Sequence, residues 1–230
     1  MKRNIFFTLL YTLFISSALA QVGESRRDLA IGVNGGYALN QVSFSPSINQ
    51  TMHGGMTMGV TARYTCEKYF SMICAIQGEF NFIQLGWTED ITTSTATYKR
   101  NINYLQMPIL VNLGWGKERG GVKGYVLAGP HIGFCIGENE VRDGDFNGLL
   151  TRQIELHDKP VEKKFDYGIT LGLGMDVSTN SGHHFTLEGR YGLSLSNVFN
   201  STKKDTFSRS ANNVITVKVA YLFDILKTKN

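Results

Sequence analysis

The sequence predicts an all-β protein, an eight-stranded antiparallel up-and-down transmembrane β-barrel. Three observations lead to this prediction. Bulky apolar residues alternate with small or polar ones in eight segments, and the period of an amphipathic helix is hard to find anywhere. The connections between these segments are long and short in strict alternation, as in bacterial outer-membrane barrels. A secretory signal peptide precedes the first segment.

The composition describes one ordered domain. The chain has 230 residues, 42% hydrophobic and 18% charged, with 25 glycines and four prolines, which excludes collagen, coiled coil and low-complexity chains. Its three cysteines, Cys66, Cys74 and Cys135, lack the paired C-x-x-C spacing of a zinc or redox site and form no disulfide framework. An oxidising compartment would allow one bridge, and the favoured interpretation is three isolated small apolar residues.

Residues 1–20 have the three parts of a secretory signal peptide. Two cations precede an apolar stretch over 5–15, and an Ala-Leu-Ala cleavage site ends at residue 20. The apolar stretch is shorter than the roughly 20 residues of a membrane-spanning helix. We therefore predict export, a barrel domain over 21–223 and a short C-terminal tail over 224–230. Cleavage leaves 21 Lys and Arg against 19 Asp and Glu, so no nucleic acid is expected as a partner.

Each predicted strand has one bulky apolar parity and one small or polar parity. In the sixth strand, for example, Ile169, Leu171 and Leu173 alternate with Thr170 and Gly172. The polar parity carries few charges, which suits a narrow lumen better than a water-facing surface. The bulky parity is therefore expected to face lipid, with aromatic residues near the strand ends. The predicted strands are 29–39, 54–65, 69–85, 101–114, 121–136, 164–177, 183–197 and 213–223.

The connections predict the orientation in the bacterial outer membrane. Short turns of outer-membrane barrels face the periplasm and long loops face outward, so both termini are expected in the periplasm. Pro108, in the fourth strand, removes a ladder hydrogen bond and predicts a bulge or local edge. The predicted long loops are 40–53, 86–100, 137–163 and 198–212, and the predicted short turns are 66–68, 115–120 and 178–182.

Several segments resemble the PorT-like outer-membrane β-barrel proteins of Bacteroidetes. They are YLQMPIL over 104–110, FDYG over 165–168, LGLG over 171–174 and RYGL over 190–193. The resemblance covers nearly all of the mature chain and implies an eight-stranded outer-membrane barrel. The member that gives the family its name is associated with a secretion system that exports surface proteins. This chain departs from the usual pattern because it continues past Phe223, whereas barrel-assembly signals usually end at an aromatic residue.

Charged residues lie on the inward parity. An eight-stranded barrel is just wide enough for side chains to fill, so a wide pore is not expected. Buried charges need partners to offset the cost of losing water. We expect Glu79, Glu188, Arg190 and Lys218 to form a structural charge network in the lumen, which is favoured over an ion pathway. Four other polar residues share the inward parity: Arg63, Gln77, Gln106 and Asp166.

The histidines give one catalytic candidate. Some small outer-membrane barrels are enzymes with Asp/His or Ser/His groups at the outer rim. His131 and Asp166 face inward near the outer ends of neighbouring predicted strands, although a structural histidine is favoured over a catalytic one. His183 and His184 point to opposite faces, and the remaining histidines are isolated, so neither a metal site nor a cofactor is expected.

The favoured function is non-enzymatic. The barrel would act as a scaffold, in adhesion, or as an accessory in surface protein export, through its external loops. The charged loop 137–163 is the candidate site for a protein partner, and outer-membrane lipid is the other expected partner. One alternative is an outer-membrane lipid or peptide hydrolase that uses His131 and Asp166. The other is a soluble barrel that binds an apolar ligand.

Overall fold

The computed structural model describes residues 23–91, 96–144, 157, 159–202 and 207–228; the predicted signal peptide lies outside these ranges. Among them, no helix is long and apolar enough to cross a membrane. The strands of the described residues are β1 (Glu24–Ser45), β2 (Gln50–Thr51), β3 (His53–Tyr69), β4 (Met72–Asp90), β5 (Thr97–Gly116), β6 (Gly121–Asp143), β7 (Phe165–Ser178), β8 (His183–Ser194) and β9 (Arg209–Leu226).

Eight long strands close into a ring, and all of them pair with their neighbours antiparallel. The first and last of them, β1 and β9, pair over most of their length, which closes the barrel. The two-residue β2 pairs with the outer end of β4 and, ending one residue before β3 begins, extends β3 outward. The predicted eight-stranded up-and-down barrel is confirmed.

Six of the eight long strands are longer than predicted, because several predicted external loops begin as strand, whereas β8 ends at Ser194, before the predicted end at 197. β6, for example, continues to Asp143 and β5 begins at Thr97, so the outer ends of these two strands stay paired and form what we call the β5–β6 stem. β9 runs to Leu226, so the tail expected from residue 224 begins too early.

The predicted turn at 66–68 is wrong, and the turn lies at Phe70–Ser71. Register between β3 and β4 shifts around Cys66, so the ladder absorbs one extra residue and continues to the last pair of the hairpin. Phe70 adopts a φ of 51°, a left-handed conformation that tight two-residue hairpin turns require.

Pro108 interrupts the ladder without shifting it, so of the two predicted outcomes the bulge is wrong and a local break in the pairing is found. The pairs Gly78–Ile109 and Asn81–Gln106 lie on either side of the interruption in the same register. The missing N–H of Pro108 removes a donor and inserts no residue, so the flanking pairs hold the strands in place.

The outer surface of the barrel is apolar. On β7, Leu171 and Leu173 are 53% and 67% exposed, whereas Thr170 and Asp176, on the other parity, are buried. The same alternation runs through β9, where Val217 is exposed. An apolar outer face with polar residues inside is the arrangement of a membrane barrel. The alternative of a soluble barrel with an apolar interior is therefore wrong.

The alternation reverses at the outer ends of the strands. On β4 and β5, the outward pair Phe82–Leu105 is followed by the outward pair Gln84–Asn103. Apolar residues give way to polar ones because the outer face passes from lipid into water. The outer ends of the strands therefore stand above the membrane.

The inside of this outer section is an apolar core. The expectation of a small or polar inward parity is wrong here, because water outside the barrel makes the interior the place for apolar side chains. We call this cluster the outer core. Its buried members are Ala38, Val42, Phe44, Ile83, Leu85, Trp87, Ile91, Ala96, Tyr98, Ile102, Tyr104, Cys135, Val161, Val198, Phe199, Phe207 and Val214.

Arginine placed on the lipid-facing parity tests this assignment. We expect Leu171→Arg to lower the free energy of unfolding by about 2–4 kcal/mol, because it puts a charge near the membrane midplane. Equilibrium unfolding in lipid vesicles measures the change. Ile225→Arg, at the periplasmic end of the same apolar surface, is the control and should cost about 0–1 kcal/mol. A Leu171→Arg protein as stable as its parent would contradict the assignment.

Candidate functional site

A layer of charged side chains crosses the middle of the lumen. We call Arg63, Glu79, Glu188, Arg190 and Lys218 the central charge layer; each is at most 7% exposed. Glu188 and Arg190 are two residues apart on β8 and so share its inward face. Lys218 of β9 lies directly opposite Glu188 in the strand register. Alternation and register thus bring these groups to one level.

Glu79 connects opposite walls of the barrel. Its strand, β4, is separated from β8 by three strands in either direction around the ring. Arg190 nevertheless donates to both carboxylate oxygens of Glu79, at 2.5 and 2.9 Å, and also contacts Glu188. The Lys218 ammonium lies 2.7 Å from Glu79 Oε2. The four residues predicted for the charge network thus lie together in the structure.

Neutral side chains fill the gaps between the charges. Gln77 donates to Glu79 Oε1 at 2.8 Å and to Glu188 Oε1 at 3.2 Å. Asn81 donates to Glu79 at 2.7 Å, and Tyr125 donates its hydroxyl to Glu188 at 2.5 Å. A buried ion pair is tolerated only when further hydrogen bonds satisfy the charged atoms, and these residues provide them.

A second group of charges lies below this layer, toward the short turns. Arg63 reaches across the lumen from β3 to Asp176 of β7, at 2.8 Å. Lys123 and His184 also contact Asp176, at 3.4 and 3.2 Å, and His184 contacts Asp224 at 3.0 Å. Arg63 thus belongs to both groups. Sequence reasoning placed it on the inward parity but missed the other members of the lower group, although Asp176 shares the inward parity of Asp166 and the alternation would have placed it inside.

The described side chains leave little space in the lumen. A cavity of about 30 Å³ lies on the outer side of the central charge layer, and one of about 20 Å³ lies among the lower charges. Each has room for a few water molecules at most. Two ion pairs that join opposite walls, Arg190–Glu79 and Arg63–Asp176, lie between the two cavities. The cavities therefore do not join into a continuous channel.

The catalytic candidate lies inside the barrel rather than at its rim. His131 and Asp166 are 3% and 4% exposed, because β6 continues well beyond them and the outer core covers this level. His131 Nε2 is 3.6 Å from Asp166 Oδ2, too long for a hydrogen bond, whereas its Nδ1 lies 2.9 Å from the Thr170 hydroxyl. The expectation of a site at the outer rim is therefore wrong.

Two serines hydrogen-bond to the carboxylate of Asp166, the acidic member of the candidate pair. Ser194 and Ser196 donate their hydroxyls to Asp166, at 3.1 and 2.5 Å. An activated serine would instead donate to a histidine, which in turn would be oriented by the carboxylate. This arrangement fastens the end of β8 to the start of β7. It differs from the serine–histidine–carboxylate order of hydrogen bonds that activates a serine nucleophile.

Above the membrane, a buried arginine joins the outer core to charges predicted to lie in a loop. Arg100 is 1% exposed and lies over the rings of Trp87 and Phe199, at 5.5 and 5.9 Å. It also pairs with Glu138 and Glu140 of β6. These glutamates face inward because the β5–β6 register shifts just before them. The prediction of a loop is thus wrong for the start of 137–163, which is strand as far as Asp143.

Within the described residues, no cluster of three or more His, Cys, Asp or Glu is arranged to hold a metal ion. His183 and His184 have separate partners: His183 lies against Tyr221 at 2.8 Å, whereas His184 belongs to the lower charges. The two histidines thus take part in different contacts, as opposite faces of a strand dictate.

Comparison with known protein families identifies the membrane in which the barrel lies. The sequence matches the family described as "Outer membrane protein beta-barrel domain" over residues 19–200. The chain belongs to this family. It is therefore an outer-membrane β-barrel protein, and lipid surrounds its apolar outer face. No curated protein matches the chain.

One solved structure supports the fold. OprG from Pseudomonas aeruginosa has a TM-score of 0.51 at 13% identity, and the match covers 88% of this chain and 98% of that one. Ail from Yersinia pestis has a TM-score of 0.38 at 11% identity, over 87% and 99% of the two chains. Neisserial surface protein A has a TM-score of 0.40 at 11% identity, over 84% and 95%.

A double-mutant cycle measures how strongly the opposite walls are coupled. We expect Glu79→Gln and Arg190→Gln each to lower the free energy of unfolding by about 3–5 kcal/mol, because each leaves buried charge without its partner. The double variant should lose less than the sum, with a coupling of about 0.5–3 kcal/mol.

The control cycle uses the surface pair Glu24→Gln and Arg26→Gln at the start of β1, in which Glu24 is largely exposed. Its coupling should stay below about 1 kcal/mol. Equilibrium unfolding in detergent or lipid measures both cycles. Additive losses for Glu79 and Arg190 would mean that the wall-to-wall contact contributes nothing to stability.

Proposed function

We propose that this protein is a non-enzymatic outer-membrane scaffold that presents its external segments to a protein partner, in adhesion or as an accessory in surface protein export. The observation that carries the proposal is the filled interior. Charges span the lumen at mid-height, and the outer core fills it above. A barrel without an open passage must act through the surfaces it exposes, and those outside the membrane are its outer strand ends and loops.

Three features of the structure support a rigid display. β5 and β6 pair from the membrane out to Thr97–Asp143, which carries the base of loop 137–163 well above the lipid. Arg100 fixes this stem to the outer core. The backbone of 163–164 is also tied down, because Lys163 donates to Val198 O at 3.1 Å and Cys135 donates to Lys164 O at 2.7 Å.

The PorT-like resemblance favours a role in export among these possibilities. One of the segments that carry it, YLQMPIL over 104–110, lies in β5, a strand of the barrel wall. The member that gives the family its name is associated with a secretion system. A scaffold with a closed lumen suits an accessory protein that anchors other components and conducts no substrate through itself.

The contacts of His131 argue against the hydrolase alternative. A lipid or peptide substrate at the outer rim would have to pass the outer core to reach His131 and Asp166. The cavity beside His131 measures about 30 Å³, which is far smaller than a lipid headgroup or a peptide bond with its flanking residues.

Crosslinking on intact cells tests the proposed partner site. A tagged wild-type protein is treated with a membrane-impermeant crosslinker, and the crosslinked products are compared with those of a variant in which 145–156 is replaced by a Gly-Ser linker of equal length. We expect the wild type to give discrete products with envelope proteins, and the variant to lose them while it still assembles as a barrel. Identical products from both proteins would contradict a partner site in 137–163.

Epitope tags provide the topology control. A tag inserted after Gly144 should be labelled by antibody on intact cells, because it lies at the outer end of the β5–β6 stem. A tag after Asn180, in a short turn, should be labelled only after the outer membrane is opened. The reverse pattern would overturn the orientation on which the proposal rests.

A further inference from the structure

Two of the three cysteines are neighbours at the periplasmic end of the β3–β4 hairpin. Thr65 pairs with Ala75 and Glu67 pairs with Cys74, so Cys66 is the extra residue of a β-bulge. In such a bulge, two consecutive residues of one strand lie opposite a single residue of the other. Cys66 and Glu67 therefore both face Cys74 across the ladder.

The spacing of paired strands suits a disulfide. Directly opposite residues of an antiparallel ladder have Cα atoms about 4.5–5.5 Å apart, and disulfides join Cα atoms about 4.4–6.8 Å apart. Glu67 is the residue directly opposite Cys74, and the bulge places Cys66 beside Glu67, so both lie opposite Cys74.

The two thiols lie on the same side of the hairpin. Cys66 has the outward parity of Tyr64, and Cys74 has that of Ile76. Both are partly exposed, and the structure contains both as free thiols, with the Cys66 Sγ 3.7 Å from the Tyr64 carbonyl oxygen. Cys135 is buried in the outer core, at the other end of the barrel, and is out of reach of both.

We propose that Cys66 and Cys74 form an intramolecular disulfide that locks the β3–β4 hairpin on the periplasmic side. The oxidant is a disulfide of the protein thiol oxidoreductase class, of the kind that operates in oxidising compartments. One cysteine thiolate attacks that disulfide to form a mixed disulfide, and the second thiolate displaces the oxidoreductase. The hairpin loses two protons and two electrons, and the oxidoreductase leaves as a dithiol.

The bridge would fix a turn that bears an unusual residue. Between the two cysteines, the turn presents Phe70, which is 94% exposed in a left-handed conformation. A crosslink beside the turn limits the opening of the last pairs of the hairpin, because it restricts the unfolded chain there. The bulge around Cys66 is thereby given a function: it brings this cysteine to Cys74.

Thiol counting on the natural protein tests the proposal. Outer membranes are prepared without reductant, and the protein is denatured in acid and labelled with a maleimide polymer before and after reduction. We expect one labelled thiol before reduction, Cys135, and all three after it. Three labelled thiols before reduction would overturn the proposal.

Peptide mapping identifies the bonded pair. Trypsin cuts after Arg63, Lys68 and Lys99, so it places Cys66 and Cys74 on different peptides. A disulfide-linked pair of the peptides 64–68 and 69–99 from monomeric protein supports the bridge. A bridge that links two chains, seen as a dimer on a non-reducing gel, would overturn it.

Single variants complete the test. In Cys66→Ser and in Cys74→Ser, the remaining member of the pair should become labelled without reduction, giving two labelled thiols in each variant. Cys135→Ser should give none before reduction and two after. If Cys74→Ser still shows a single labelled thiol, Cys66 is bonded or blocked elsewhere and the proposed pair is wrong.

Discussion

The narrow lumen of an eight-stranded barrel allows almost no water, so every inward side chain needs a partner within the protein. Glu79 shows how the structure meets this constraint. Its carboxylate accepts hydrogen bonds from Arg190 and Lys218 as well as from Gln77 and Asn81. Because Glu79 and Arg190 belong to opposite walls, the contacts that satisfy buried charge also close the passage. Because the passage is closed, any function of the protein must lie outside the lumen.

The membrane sets a second constraint, which explains the two kinds of interior. Where lipid surrounds the barrel, the apolar residues face out and the charges face in. Beyond the outward pair Leu39–Ile215 of β1 and β9, the next outward pair is Gln41–Asn213, and water surrounds the wall. From that level upward, the apolar residues turn inward and form the outer core. One continuous barrel thus has a charged centre in the membrane and an aromatic plug outside it.

Much of this architecture was predictable from alternation. The parity of β7 predicted its lipid-facing and lumenal sides, and the inward charges Glu79, Glu188, Arg190 and Lys218 were identified from parity alone. Register was not predictable, since bulges move whole strands by one residue without changing the local pattern. The shifts near Cys66 and before Glu138 are the reason that one turn was misplaced and that two inward glutamates were assigned to a loop. The polar outward residues after Phe82 indicate in the sequence where the barrel wall passes from lipid into water.

The central claim is that the interior is closed in the native protein. Ion conductance of the purified protein in a planar lipid bilayer tests this claim most directly, with an open porin as the positive control. The structure predicts current at the level of the bare bilayer, because wall-to-wall ion pairs and the outer core both block the path. Stepwise, stable conductance from folded wild-type protein would contradict the account, since it would require a continuous aqueous path past Arg190.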